Sequence, residues 1–216
     1  MALEKHIDLN VRETRELFIE QNNSGYNVHD HLKGLSVAEL KAITQNNVFP
    51  FWVCCLNVLS DMNISTVIRS AHLMGAERAV VFGRRKIDNR GLVGAAHYTH
   101  VDKVWGVDCN AELNADLFEG FCHTHKVIPI FVEQGGQNVY NFDWNTHIMR
   151  IETQGYKPML TLGTENSGIP QSILDRAPRL KAETVSIPQS GVIRSHNVSM
   201  AYAISASQMV AQMGWY

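Results

Sequence analysis

The chain has 216 residues, enough to bury a sizeable core and to fold without a disulfide or metal staple. Its 45% apolar and 19% charged residues are ordinary for a globular protein, and 19 basic residues against 21 acidic ones give a formal charge of −2. That balance excludes a uniformly basic nucleic-acid binder but leaves room for a local basic patch on a near-neutral body.

Residues 1–48 are polar and rich in asparagine, and read as an N-terminal helical extension. Val11 to Gln21 has helical spacing with Leu17 and Phe18 as apolar anchors, Asn22 to Gly34 reads as loop, and Ser36 with Glu39 forms a capping-box signature for a helix running to about Gln45. Residues 49–216 read as one larger domain. FWVCCLNVL (51–59) is a continuous apolar run suited to a buried strand, followed by a helix over Ile64 to Met74 that stops at Gly75. RAVVFG (78–83) is a second strand, Leu92 to His97 a short helix, and THVDKVWGV (99–107) a third strand. A helix over Ala111 to His125 leads to strand KVIPIFVE (126–133) and a loop QGGQN (134–138). PMLTLG (158–163) and ETVSIP (183–188) are further strands, and Val198 to Met213 is a closing helix with small residues on one face. Strands alternating with helices predict an α/β domain with a mainly parallel sheet and flanking helices. Ligands of such sheets gather beyond the carboxyl ends of the strands, here the loops after Asn57, Phe82, Val132, Leu162 and Ile187.

No run of about 18 apolar residues is present, so no membrane span is expected. The N-terminal stretch mixes charges early, unlike a signal peptide. The cysteines at 54, 55, 109 and 122 lack CxxC spacing and read as buried free thiols of a cytoplasmic protein. The pairs His29/His31 and His123/His125 have no further ligands at recognisable spacing, so no metal site is expected. GxxxxGK[ST], GxGxxG and GxSxG are all absent, which argues against a P-loop enzyme, a dinucleotide-binding site and a hydrolase elbow.

Three segments carry chemistry. In DMNISTVIRSAHLMGA (61–76), Asn63 sits at a strand-to-helix junction and Arg69 lies about one turn into the helix, where its fixed fork of donors suits a phosphate. In LGTENSGIP (162–170), a strand ends at Gly163, which lets a ligand approach the backbone, with Glu165 at the mouth. In IPQSGVIRSHNVSMAYAI (187–204), a strand ends at Ile187-Pro188, and Ser195 and Asn197 open a long helix. A fourth segment, ERAVVFGRRKIDNR (77–90), gathers Arg78, Arg84, Arg85, Lys86 and Arg90 against Glu77 and Asp88.

In this order the first three segments resemble the motifs of SpoU-type, TrmH-like RNA ribose 2′-O-methyltransferases of the SPOUT superfamily. Those motifs run N-x-G-x-x-x-R, G-x-E-x-x-G-[IL] and I-P-[M]-x-G-x-x-x-S-L-N-V-[SA]. Here they stand as Asn63-Ile-Ser-Thr-Val-Ile-Arg69, Gly163-Thr-Glu-Asn-Ser-Gly-Ile169 and Ile187-Pro-Gln-Ser-Gly-Val-Ile-Arg-Ser-His-Asn-Val-Ser199. The resemblance spans about residues 51–216. It departs at Ser65, where the family has glycine, at Met62, where proline is common, and at Gln189 and His196, which replace methionine and leucine. Ser65 and His196 are expected to reshape the pocket.

The resemblance implies a C-terminal trefoil knot, S-adenosyl-L-methionine as methyl donor and a ribose 2′-hydroxyl of tRNA or rRNA as acceptor. Gly163, Ile187 and His196 align with the family's cofactor contacts, and Val132 to Gln134 are weaker candidates for the pocket rim. Arg69 is expected to hold the target phosphate and ribose, with Asn63, Glu165, Ser195 and Asn197 orienting it and the hydroxyl. Arg84, Arg85, Lys86 and Arg90 are expected to contact RNA phosphates. A homodimer through the knotted region is implied, and the short extension tilts the substrate toward tRNA. Two other readings stand beside this one: a SPOUT-like RNA-binding protein without catalysis, and an unrelated nucleotide-binding α/β enzyme.

Overall fold

The alternation of buried strands and amphipathic helices is realised as one parallel sheet covered on both faces. The structure, a computed structural model, describes residues 27–57, 62–84, 87, 89–92, 94–164 and 167–215, without the side chains of Asn57, Asn89 and Arg90. The expected helix over Val11 to Gln21 and the site residues Glu165, Arg85 and Lys86 lie outside the described residues. The chain divides after Asn47 into two compact units.

The described part of the first unit holds a 3-10 turn at Asp30–Leu32 and helix α1, Val37–Asn46. Its start is the expected capping box: Ser36 Oγ accepts from the Glu39 amide at 3.3 Å, and Glu39 accepts from the Ser36 amide at 2.8 Å.

The second unit is built on strands β1 (Phe49–Asn57), β2 (Ala76–Gly83), β3 (Val101–Trp105), β4 (Val127–Asn138), β5 (Lys157–Leu162) and β6 (Glu183–Ser186). They lie in the order β3-β2-β1-β5-β4-β6, and every ladder between them is parallel. Strand β1 explains why its sequence reads as an unbroken apolar run. Phe51, Val53 and Cys55 point into one core, while Trp52, Cys54 and Leu56 point into the other. Its register against β2 slips between Phe49 and Trp52, around Pro50, which has no amide to donate to the ladder.

Helices α2 (Met62–Leu73), α5 (Trp144–Thr153) and α8 (Val198–Met213) cover one face with Ile68, Ile148, Ile151, Tyr202 and Met209. Helix α4 (Ala115–His125) and the short α6 (Gln171–Leu174) and α7 (Ala177–Leu180) cover the other with Phe118, Phe121, Ile173 and Leu180. Helix α3 (Ala95–Tyr98) and a 3-10 turn at Asn89–Leu92 bridge β2 to β3.

Several boundaries differ from the sequence reading. Residues 134–138 belong to β4, not to a loop. The strand passes a break there, because Val132 and Gln137 both face Val185 of β6 and the residues between them bulge. Helix α4 starts at Ala115, not Ala111, because Asn114 caps it by accepting from the Asp116 and Leu117 amides. Helix α5 was not expected from the pattern, although Asp143 caps it and Trp144, Ile148 and Ile151 recur at helical spacing. No described helix is long and apolar enough to cross a membrane.

Candidate functional site

Parallel strands all end at the same edge, so the loops that follow them meet there. Beyond β4, β5 and β6 these loops enclose a cavity of about 130 Å³. Val132, Leu162, Ile187 and Val198 give it apolar walls, and Glu133, Gln134, Thr164, Ser195 and His196 give it polar ones. Gly163, Ile187 and His196, read as cofactor contacts, therefore converge on one cavity, with Ser195 among them.

Glycine at 163 is a packing requirement. A Cβ there would lie 2.5 Å from the Ile169 nitrogen and 2.7 Å from the Gly168 Cα, so the loop after β5 can fold back only over a bare backbone. Thr164 and Gly168 close that loop with reciprocal backbone hydrogen bonds of 2.8 and 3.0 Å.

Two residues just beyond the apolar part of β4 hold the neighbouring loops. Glu133 accepts through Oε2 from the Ile169 amide at 2.7 Å and through Oε1 from the Gln134 amide at 2.9 Å. Gln134 donates through Nε2 to the Arg194 carbonyl at 2.6 Å. One dipeptide thus ties the second-motif loop and the third-motif loop to the same strand, at its bulge. The sequence reading gave these residues only a place on the rim. The signal was their position: an acid and an amide directly after an apolar strand, at the edge where ligands bind.

Asn197 joins the third motif to the first. Its Oδ1 accepts from the Ser199 amide at 2.9 Å and caps α8, while its Nδ2 donates to Asn63 Oδ1 at 2.8 Å. The bond spans 134 residues of sequence. Arg69, on α2 with Asn63, is half-buried and has no hydrogen bond to Asn63, Ser195 or Asn197. The structure therefore brings Asn63 and Asn197 together but does not have them hold Arg69.

The departures from the family pattern separate. His196 lines the cavity, as expected of a pocket-shaping change. Ser65 does not: it is fully buried in α2, where a Cβ on Gly91 would lie 2.7 Å from its own Cβ. A side chain at 65 is accommodated by the lack of one at 91.

The basic segment separates too. Arg84 follows the carboxyl end of β2 and is half-buried. Arg90 lies in the 3-10 turn beyond it. Arg78 lies near the opposite end of β2, roughly 17 Å of strand from Gly83. There it bonds Asp102 at 2.7 Å and lies over the Trp52 ring, so it is no part of a patch at the site edge.

Three of the four thiols are buried; Cys109 is exposed, contrary to the sequence reading. Burial pushes the Cys55 and Cys122 thiols up to about 12 and holds Cys54 well above the ordinary range. None of these three supplies a thiolate nucleophile near neutral pH. Among the described residues no group of three His, Cys, Asp or Glu is placed to hold a metal ion.

Comparison with known proteins places the chain in a family and matches its fold. The model of the SpoU rRNA methylase family matches residues 50–207. The A. aeolicus TrmH/SpoU tRNA modifying enzyme superposes with a TM-score of 0.61 at 18% identity, over 83% of this chain and 85% of that one. An AdoMet-bound rRNA methyltransferase from Sinorhizobium meliloti gives 0.58 at 18% identity, over 79% of this chain and 60% of that one. The SpoU methyltransferase AviRb from Streptomyces viridochromogenes, in complex with the cofactor AdoMet, gives 0.56 at 20% identity, over 77% and 58%. This chain thus spans about three fifths of the length of the last two. No curated protein matches the sequence.

Proposed function

This chain belongs to the SpoU rRNA methylase family, and from that premise we propose that it is an S-adenosyl-L-methionine-dependent RNA methyltransferase acting on a ribose 2′-hydroxyl. The observation that carries the reading is the cavity at the carboxyl ends of β4, β5 and β6, lined by the second and third motifs and joined to the first by the Asn197–Asn63 bond.

The residues present fit the cofactor. Apolar walls at Leu162, Ile187 and Val198 suit a flat adenine, and the loop folded over Gly163 gives the cavity a main-chain wall of fixed shape. When bound, S-adenosylmethionine supplies a methyl group already activated on a cationic sulfonium. The chain's own task is then to bring the hydroxyl in line and to let its proton leave. Arg69 stays charged in proteins, so it acts by gripping the phosphate and ribose, and the proton passes to a phosphate oxygen or water. The planar fork of donors on Arg69 matches a phosphate. Asn63 and Asn197 hold the start of α2 against the start of α8. Glu165 and Ser195 orient the hydroxyl.

The acceptor RNA is a tRNA or an rRNA, met through Arg84, Arg85, Lys86 and Arg90 and handled in the cytoplasm. The knot and the homodimer belong to the same reading. What supports them is the course of the chain. It leaves β6 at the sheet edge, passes the bulge of β4 and the loop after β5, and only then enters α8, whose first turn exposes Met200. Sedimentation at micromolar concentration is expected to give a dimer.

The test is mass-spectrometric mapping of 2′-O-methyl nucleotides in unmodified tRNA and rRNA transcripts after incubation with the protein and cofactor. A new 2′-O-methyl nucleotide is expected. Arg69→Ala is expected to bind S-adenosylmethionine with unchanged affinity while losing on the order of a hundredfold or more in methylation rate. Parent-rate methylation by that variant would remove Arg69 from its role. RNA binding without cofactor binding in calorimetry would favour the non-catalytic reading.

A further inference from the structure

At the same sheet edge stands an aromatic ring that neither the core nor the proposed reaction uses. Trp105, the last residue of β3, is 53% exposed. The other three tryptophans have structural work. Trp52 is 4% exposed and lies under the Arg78 guanidinium. Trp144 is fully buried and donates to the Val139 carbonyl, and Trp215 stacks on Phe49 and Phe51.

Its register fixes its surroundings. Trp105 pairs with Gly83, the residue before Arg84. Val101, Lys103 and Trp105 share one face of β3 by strand alternation. Val101 packs with the core that contains α2, so this is the face of the Arg69 helix. Lys103 is exposed, as Trp105 is. The one acid of the strand, Asp102, lies on the opposite face, where Arg78 and His100 hold it. Beyond the strand, Asp108 is engaged in its own turn, accepting from the Asn110 and Glu112 amides. On this face β3 thus presents a flat ring, a cation and no carboxylate. It lies two strands from β1, roughly 10 Å from the strand that leads into α2.

We infer that Trp105 stacks a nucleobase of the RNA substrate that neighbours the methylated nucleotide, with Lys103 meeting the backbone. This rests on the RNA methyltransferase reading above. Stacking on an aromatic ring is tolerant of base identity but needs a base with a free face, as in a loop, bulge or single strand. The inference therefore narrows the substrate: the nucleotide beside the target is unpaired.

The experiment measures binding of the full-length protein to an unmodified tRNA transcript, a single-stranded RNA and a fully paired RNA duplex. Trp105→Ala is expected to weaken binding of the first two about tenfold and to leave the duplex unchanged. Trp105→Phe, which keeps a ring face, is expected to stay within about threefold of the parent. The dependence of affinity on salt is expected to be unaltered in both, whereas Lys103→Ala lowers its slope by about one. Unchanged cofactor affinity in Trp105→Ala reports an intact fold. Parent-like RNA binding by Trp105→Ala would overturn this inference alone, and absence of RNA binding by the parent would take the RNA reading down with it. A shift of Trp105→Ala from dimer to monomer in sedimentation would assign the ring to a contact between copies, and would overturn it as well.

Discussion

The two halves of the sheet's carboxyl edge are held by different means. Beyond β4, β5 and β6, main-chain atoms of the loops are what is held: the Glu133 side chain takes the Ile169 amide, the Gln134 side chain takes the Arg194 carbonyl, and Gly163 packs on the backbone of Gly168 and Ile169. Beyond β1, β2 and β3, the close approach of Gly91 is to a side chain, that of Ser65. Backbone cannot be trimmed by mutation, whereas a side chain can. The first half suits a small ligand that needs one fixed shape. The second presents side chains such as Trp105 at the surface, which suits a polymer that is gripped piecewise.

Replacing Gly163 with alanine is expected to have the largest effect. The added methyl group meets main chain on every near side, so the loop after β5 must open. Overpacking of this kind costs about 1–3 kcal/mol. S-adenosylmethionine affinity in calorimetry should fall at least tenfold, and no single second substitution among the neighbours should restore it.

Replacing Gly91 with alanine should cost a similar amount in unfolding free energy, about 1–3 kcal/mol by denaturant titration. Here rescue is available. Pairing it with Ser65→Gly removes the atom struck at 2.7 Å, and the double variant should recover most of the loss. A double variant no more stable than Gly91→Ala would show that this half, too, is limited by backbone, and would erase the contrast.

The sequence made part of this legible and left part of it dark, for identifiable reasons. Strand β1 was readable because a strand buried on both faces must be apolar throughout. The pocket was readable because Gly163, Ile187 and His196 sit in motifs whose order and spacing match a known family, and the loops bring them to one cavity. Helix α5 was passed over although its cap and its apolar spacing are both present. The bulge in β4 was read as a loop because Gly135 and Gly136 mimic one. The Ser65–Gly91 fit joins residues 26 positions apart on different elements, and no local pattern announces it. Arg78 was counted with the cluster at Arg84 because composition windows do not register that a strand separates its two ends.

Glu133→Gln probes the tie itself and should have an intermediate effect. The carboxylate gives one oxygen to each of two amides, and glutamine can keep only one of them. A charge-assisted hydrogen bond is worth about 1.5–3 kcal/mol when lost. Cofactor affinity should fall roughly tenfold, with little change in RNA affinity. A change in RNA affinity as large as that in cofactor affinity would mean that the two halves are one coupled unit.

The smallest effect comes from His72, near the end of α2 in the side-chain-packed half. Its Nδ1 is buried without a partner among the described residues, its ring lies 6.0 Å from that of Tyr98, and burial pulls its pKa below the ordinary histidine value. Folding therefore favours the neutral ring. The resulting stabilisation is complete above the unfolded-state pKa near 6.5 and is lost as pH falls through that value toward the lower folded one. The denaturation midpoint of the parent should decline below about pH 6.5 more steeply than that of His72→Asn. Hydrogen exchange should locate the early loss of protection at α2, α3 and β3. At the same pH, protection of the loops held by Glu133 and Gln134 should be retained, because the group that gains the proton lies in the other half. Equal loss of protection in both halves would instead mean that the sheet transmits the strain of a charged His72 through β1 to the pocket.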